Sequence, residues 1–144
     1  MVQKKVEYRQ DINIAEDMRK IKEMLGFSYS DIRYFGLNPN NVKRFESTGS
    51  TSMDTVFRYN DILHSNVVVG KYIVENLEQL GKKLKQLREE HSLTYDKMFM
   101  ATGLGNRSIT AIESGKGCTT DTIRRYLMAM PDVVFTVTLT FKTV

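Results

Sequence analysis

The residue types that most often support catalysis or metal binding are scarce in this chain. It contains one cysteine, Cys118, and two histidines, His64 and His91, which do not have the HExxH spacing of a zinc protease. A single cysteine excludes an internal disulfide and a cysteine-rich zinc site. The Gly-Leu-Gly stretch at residues 103–105 lacks the Lys-Ser/Thr pair of a phosphate-binding loop. We therefore expect a protein that is not an enzyme and that uses no cofactor and no metal.

The overall charge favours an anionic partner only weakly. The 144 residues include 21 Lys and Arg against 17 Asp and Glu, which gives a net charge of +4. Hydrophobic residues make up 41% of the chain, as in a folded domain. No apolar run is long enough to span a membrane, and the N-terminal residues have no signal-peptide core. Together with the single cysteine, these features lead us to expect a cytoplasmic protein that does not act at a membrane.

An internal repeat organises the chain. Shifting the second half back by 67 residues places identical or similar residues opposite each other in the same order. The aligned pairs include Leu37 with Leu104, Glu46 with Glu113, Ser47 with Ser114, Asp54 with Asp121, Arg58 with Arg125, and Tyr59 with Tyr126. Upstream of Gly36 the shift is 66, because the first copy is one residue shorter. We therefore predict a first copy at residues 11–65 and a second copy at residues 77–131.

Each copy is predicted to form four short helices. An apolar stripe at helical spacing begins each copy and is followed by residues that are typical of helix caps, turns and stops. In the second copy these residues are Leu77, Leu80, Leu84 and Leu87, then Thr94, Gly103, Gly115 and Pro131. In the first copy they are Ile14, Met18, Ile21 and Leu25, then Ser28, Gly36 and Asp54. The third helix of the second copy is expected at residues 106–114.

Sequence typical of β-strands follows each copy. Residues 132–142 alternate between apolar and polar side chains, and residues 66–74 are a weaker counterpart that Gly70 interrupts. Because an isolated strand leaves its backbone groups unpaired, we expect the two strands to pair with each other or with a second chain. The predicted fold is mainly α with a small antiparallel sheet, in which residues 66–76 serve as strand and linker. The two helical copies are expected in a pseudo-twofold arrangement.

The second copy resembles a known family over residues 84–116 (LKQLREEHSLTYDKMFMATGLGNRSITAIESGK). The helix that ends in Leu-Arg-Glu-Glu, the capped second helix, the Gly-Leu turn and the final Glu-x-Gly-Lys are similar to the helix-turn-helix of phage repressor and Cro-type proteins, the XRE family. The first copy resembles this family only through its alignment with the second. The strand after the last helix is similar to those with which antitoxin-type repressors of the family dimerise. The resemblance implies two repressor-like helix-turn-helix units.

The resemblance also implies an ion pair in each copy. Arg88 and Glu113 occupy the positions where the family joins its first helix to the end of its third helix. Lys22 and Glu46 are the counterparts in the first copy, and a lysine there makes a looser pair because it lacks the bidentate guanidinium. The alternative is that these residues are separate surface charges.

In that family the third helix enters the major groove of DNA and its outward side chains reach base edges. The resemblance therefore implies a sequence-specific transcriptional regulator, in particular a repressor, with double-stranded DNA as its partner. Arg107 can then pair with guanine and Asn106 with adenine, while Thr110 can contact a thymine methyl or a phosphate. The implied DNA-binding residues are Tyr95, Asn106, Arg107, Ser108, Thr110 and Lys116 in the second copy, and Tyr29, Asn38, Asn40, Asn41, Lys43 and Arg44 in the first.

Two further partners remain open at this point. An antitoxin or a phage-type inhibitor would act mainly by binding a protein partner such as a toxin, through an exposed strand edge or through the divergent first copy. A homodimer could form through strands 66–74 and 132–142 and would read a long palindrome. A single chain that acts alone would instead prefer two different half-sites about 10 bp apart.

Overall fold

The structure, a computed structural model, describes residues 8–139, and these form eight α-helices, one short 3-10 helix and three strands. The first helical group consists of α1 (Ile14–Leu25), α2 (Tyr29–Tyr34), α3 (Pro39–Thr48) and α4 (Met53–Leu63). The second helical group consists of α5 (Leu77–Glu90), α6 (Tyr95–Thr102), α7 (Asn106–Glu113) and α8 (Thr120–Tyr126), followed by the 3-10 helix Leu127–Ala129. The strands are β1 (Asn66–Val69), β2 (Tyr72–Val74) and β3 (Phe135–Thr138). A mainly helical fold with a small antiparallel sheet is thus confirmed.

Short polar side chains decide where the helices begin. The predicted caps Ser28 and Thr94 accept hydrogen bonds from backbone N–H groups in the first turns of α2 and α6. Helix α4 begins one residue before Asp54, because Ser52 supplies the cap through a bond from the backbone N–H of Thr55. Gly103 ends α6 with φ 77°, in the left-handed region that a glycine adopts without strain.

The segment at residues 66–74, which we predicted as one interrupted strand, is a β-hairpin. Strands β1 and β2 pair antiparallel in the register Val67–Val74, Val68–Ile73 and Val69–Tyr72. Gly70 has φ 60°, and a residue in this region is what a tight hairpin turn requires. Gly70 therefore reverses the chain instead of weakening a continuous strand.

Strand β1 lies at the centre of the sheet, whose order is β2-β1-β3. It pairs antiparallel with β3 from Asn66–Thr138 to Val69–Phe135, so the predicted pairing of the two post-repeat strands occurs within the chain. The outer edge of β3 is bonded to α1, because Asp17 Oδ2 accepts from the Thr136 hydroxyl at 2.7 Å and from the Val137 N–H at 3.2 Å. Residues 140–142 of the predicted strand lie outside the described residues.

The two helical groups also meet at a second place, between the loops that precede α4 and α8. The backbone N–H of Met53 donates to the Cys118 carbonyl at 2.8 Å, and the N–H of Thr120 donates to the Thr51 carbonyl at 2.9 Å. Ser52 and Thr119 form a β-bridge between these bonds. Met53 and Thr120 are 67 residues apart, and so are Thr51 and Cys118. The two hydrogen bonds are therefore equivalent under the shift that relates the two copies.

One hydrophobic core contains residues from both groups and from the sheet, including the fully buried Met18, Phe45, Tyr59, Leu84 and Tyr126. The prediction for Leu25 was wrong: its side chain is 42% exposed, because it is the last residue of α1 and lies beyond the end of the buried stripe. None of the described helices is long and apolar enough to cross a membrane.

Candidate nucleic-acid interface

Helix α7 presents a polar face to solvent. Its buried side is formed by Ile109 and Ile112, which are 0% and 5% exposed and pack into the core. The predicted contact residues Asn106, Arg107, Ser108 and Thr110 are all exposed on the other side, and Lys116 is exposed just beyond the helix. The N-cap of α7 is Gly105, which supplies no capping side chain, so the first backbone N–H groups of the helix have no side-chain acceptor.

Helix α3 has a comparable arrangement. Val42 and Phe45 are fully buried, and the opposite side exposes Asn40, Asn41, Lys43 and Arg44. Asn38 is also exposed but has a structural role, because its side-chain oxygen accepts from the backbone N–H of Asn40 at 2.9 Å and caps the helix. Of the predicted contact residues on this helix, Lys43 and Arg44 carry the positive charge.

A buried ion pair anchors the end of α7. Arg88 of α5 donates to both oxygens of Glu113, at 2.7 and 3.1 Å, and the two side chains are 10% and 4% exposed. The guanidinium also donates to the Leu93 carbonyl at 2.9 Å. The hydrogen bonds to Glu113 raise the pKa of Arg88. The predicted pair is confirmed, and it is buried rather than a pair of separate surface charges.

The corresponding pair in the first group joins α1 to α3. Lys22 Nζ lies 2.8 and 3.2 Å from the two oxygens of Glu46, and the two side chains are 6% and 7% exposed. Burial, the largest single influence, would lower the pKa of Lys22, but the interactions with Glu46 and Tyr29 together outweigh it and raise the pKa. This predicted pair is also confirmed.

Each carboxylate accepts a further hydrogen bond from a tyrosine, but from a different tyrosine in each group. In the second group Tyr126 of α8 donates to Glu113 at 2.6 Å. In the first group Tyr29 of α2 donates to Glu46 at 2.6 Å, while the hydroxyl of the fully buried Tyr59 has no hydrogen-bond partner. Burial, and then the charge of Glu46, raise the pKa of Tyr59. We had not predicted these bonds, and the alignment of Tyr59 with Tyr126 would have indicated Tyr59 rather than Tyr29 as the partner of Glu46.

Tyr29 and Tyr95, which the resemblance implied as DNA-binding residues, are half-buried between the second and third helices of their groups. The ring of Tyr29 lies 3.9 Å from Lys22 Nζ and 4.7 Å from Lys43 Nζ. The ring of Tyr95 lies 4.8 Å from the Arg88 guanidinium, and its hydroxyl is 3.5 Å from the Thr110 hydroxyl. The structure thus brings each tyrosine next to the predicted face of its third helix.

An open depression of about 300 Å³ lies between α2 and α3. Its lining residues are Tyr29, Ser30, Arg33, Pro39, Asn40 and Lys43. A second depression of about 410 Å³ shares Arg33, Pro39 and Asn40 with it. Because two cations and no acidic residue line the first depression, it is suited to an anion. Arg33 was missed by the sequence analysis, since only the folded chain places it beside Lys43.

Exposed apolar residues lie at the ends of α1 and α2 in the first group, and the aromatic ones form a surface. Tyr34 and Phe35 are 85% and 53% exposed, and Met24 is 67% exposed. The ring of Phe35 contacts those of Phe27 and Tyr34, with centroids 5.9 and 5.5 Å apart. Such a surface on a small protein is a candidate for protein binding.

The single cysteine is a poor nucleophile in this fold. Burial raises the pKa of Cys118 to about 11, so its thiol stays protonated at neutral pH. Within residues 8–139, no group of three or more His, Cys, Asp and Glu side chains is placed to hold a metal ion.

Comparisons with protein-family models, with curated proteins and with solved structures find no match to this chain.

Proposed function

We propose that this protein is a sequence-specific DNA-binding regulator, in particular a repressor, that reads the major groove with α3 and α7. The observation that carries the proposal is common to both helices. Each buries one side, exposes amide, hydroxyl and cationic side chains on the other, and is held at its far end by a buried ion pair. Base edges in the major groove are recognised by such side chains on a rigid helix. A regulator of this kind would act in the cytoplasm.

The proposal includes two repressor-like helix-turn-helix units in a pseudo-twofold arrangement within one chain. The reciprocal hydrogen bonds around Ser52 and Thr119 support it, because a twofold axis relates equivalent residues in this way. The two reading helices differ in sequence, since α7 exposes Arg107 and Thr110 where α3 exposes Asn40 and Lys43. A single chain would therefore prefer two unlike half-sites about 10 bp apart.

The proposal also includes a homodimer that forms through the strands. The pairing within the sheet limits which strand edge a second chain can use. Strand β1 is paired on both sides, and Asp17 bonds the outer edge of β3. A second chain would therefore pair with the outer edge of β2. Measurement of the mass of the complex with and without DNA would decide between one chain and two on each operator.

The experiment that tests DNA binding is selection of bound duplexes from a random pool, followed by gel-shift titration. Arg107→Ala should weaken binding to the selected duplex by roughly 1–3 kcal/mol and relax the preference at one base position. Arg58→Ala is the matched control, because it also removes an exposed guanidinium, here from α4, outside the proposed reading face. Affinity should also fall steeply as salt rises. If Arg107→Ala bound like Arg58→Ala, α7 would not be the reading helix.

A second candidate function is binding of a protein partner, as in an antitoxin or a phage-type inhibitor. The exposed surface of Tyr34 and Phe35 favours it, and a depression of about 350 Å³ lined partly by Phe35 and Ile62 adjoins it. A stoichiometric protein that co-purifies with the wild type but not with Tyr34→Ala would support this function. The two functions are compatible, because this surface and the exposed face of α3 do not share residues.

A further inference from the structure

In the first helical group the carboxylate of Glu46 lies near two tyrosines, Tyr29, which bonds it, and Tyr59, whose pKa its charge raises. Glu46 accepts from Tyr29, and the hydroxyl of Tyr59 is buried with no partner. A buried hydroxyl without a partner keeps its desolvation cost uncompensated. The free protein therefore holds a polar group that would gain stability if Glu46 became available to it.

The second helical group has the alternative arrangement. Tyr126, the counterpart of Tyr59, donates to Glu113 at 2.6 Å. Tyr95, the counterpart of Tyr29, makes no bond to that carboxylate, and its hydroxyl is directed at Thr110 on α7. The same fold thus accommodates a carboxylate bonded to the tyrosine of the fourth helix, with the tyrosine of the second helix turned to the reading face.

The ligand that could release Tyr29 is suggested by its surroundings. Tyr29 lines the depression of about 300 Å³ between α2 and α3, together with Arg33 and Lys43. Both cations are exposed, and none of the residues that line the depression is acidic. A phosphate there would accept a hydrogen bond from the Tyr29 hydroxyl and lie between two positive charges.

We propose that this depression binds a backbone phosphate of duplex DNA. Binding then changes the tyrosine that donates a hydrogen bond to Glu46 from Tyr29 to Tyr59. In the free protein Tyr29 donates to Glu46 and Tyr59 is unpaired. In the complex Tyr29 donates to the phosphate and Tyr59 donates to Glu46, so the number of satisfied hydroxyls rises from one to two. Tyr59 is thereby a positioning residue that never touches DNA. The inference rests on the proposed DNA binding and adds Arg33 to the contact residues.

The sharing of Glu46 can be tested without DNA. Tyr59→Phe should raise the Tm of the wild-type protein by about 2–4 °C, because it removes an unpaired buried hydroxyl. In a Tyr29→Phe background Tyr59 bonds Glu46 already, so the same substitution should lower the Tm by a similar amount. Thermal unfolding of the wild type, the two single variants and the double variant measures both effects. An effect of Tyr59→Phe with the same sign in both backgrounds would overturn the proposal.

The coupling to DNA is tested by titrating the selected duplex. Tyr59→Phe should weaken binding about tenfold to a hundredfold although it makes the free protein more stable, because the complex loses one hydrogen bond to a charged carboxylate. Tyr126→Phe is the matched control: its hydroxyl is bonded to Glu113 with or without DNA, so the substitution should lower the stability, and any change in affinity should have the same direction. A purely structural role of Tyr59 would not produce opposite effects on stability and affinity.

The remaining outcomes separate this inference from the proposed function. If the wild type bound no duplex, the proposed function and this site would both fail. If the wild type bound duplex and Tyr59→Phe had the same affinity, only the proposed exchange of the tyrosine that donates to Glu46 would be overturned. Arg33→Ala should also lower the affinity and reduce the salt dependence by about one phosphate contact. Inorganic phosphate alone, at the phosphate concentration of the duplex titration, should not raise the Tm; an increase equal to that with duplex would assign the site to a free anion.

Discussion

The buried pair of Arg88 and Glu113 allows a quantitative prediction about stability. Glu113 accepts three hydrogen bonds from two side chains: two from Arg88, at 2.7 and 3.1 Å, and one from Tyr126 at 2.6 Å. Replacement of Glu113 by leucine would leave a buried guanidinium without its counter-charge, and the Tyr126 hydroxyl would keep only its longer bond to the Leu84 carbonyl, at 3.2 Å. Removing one partner of a buried pair costs about 3–5 kcal/mol. For a protein of 144 residues this corresponds to a decrease in Tm of roughly 10–15 °C.

Urea unfolding of Glu113→Leu, monitored by circular dichroism, measures this cost. The control is Glu78→Leu, because Glu78 and Lys82 form an exposed pair on α5 with 3.2 Å between the charged atoms. Exposed pairs of this kind contribute less than about 0.5 kcal/mol. The double variant Arg88→Met with Glu113→Leu should recover much of the loss, because it removes the unpaired charge together with its partner.

A small loss of stability in Glu113→Leu would refute this prediction. If Glu113→Leu cost no more than Glu78→Leu, the Arg88–Glu113 pair would be solvated and could not anchor α7. If the double variant were as unstable as Glu113→Leu alone, the loss would come from packing rather than from the unpaired guanidinium.

Two further predictions concern pH and packing. His91 donates from Nδ1 to the Leu87 carbonyl, and its Nε2 lies 2.9 Å from Asp132, which raises the pKa of the histidine. This stabilisation is fully present below the unfolded pKa of about 6.5 and is lost as the pH rises through the raised pKa of the folded state. His91→Gln should therefore flatten the pH dependence of the Tm between about pH 6 and 8. Gly81→Ala should lower the stability measured in urea although alanine favours helices, because its Cβ would lie 2.6–2.8 Å from backbone atoms at the end of α7. Gly117→Ala, where no atom lies within 4 Å of the added carbon, is the control and should leave the stability nearly unchanged.

Much of the local structure could be predicted from the sequence, because its signals act within a few residues. A serine or threonine before a helix and a glycine after it determine the ends of α2 and α6 through bonds to the adjacent turn. The internal repeat extended this information, since a signal that was clear in the second copy located its weaker counterpart in the first. The exposed faces of α3 and α7 follow from the same helical periodicity.

The features that could not be predicted depend on residues that are distant in sequence. The hairpin at Gly70 required knowledge that β1 has β2 on one side and β3 on the other. The tyrosine partner of Glu46 could not be predicted either, because the alignment with the second copy points to Tyr59, whereas the structure places the Tyr29 hydroxyl 2.6 Å from that carboxylate. The sequence by itself determined the helices and the caps Ser28 and Thr94, and its resemblance to a known family indicated the two ion pairs. The tertiary structure decided which hydroxyl is left unpaired and placed Arg33 beside Lys43, because these depend on how whole helices pack.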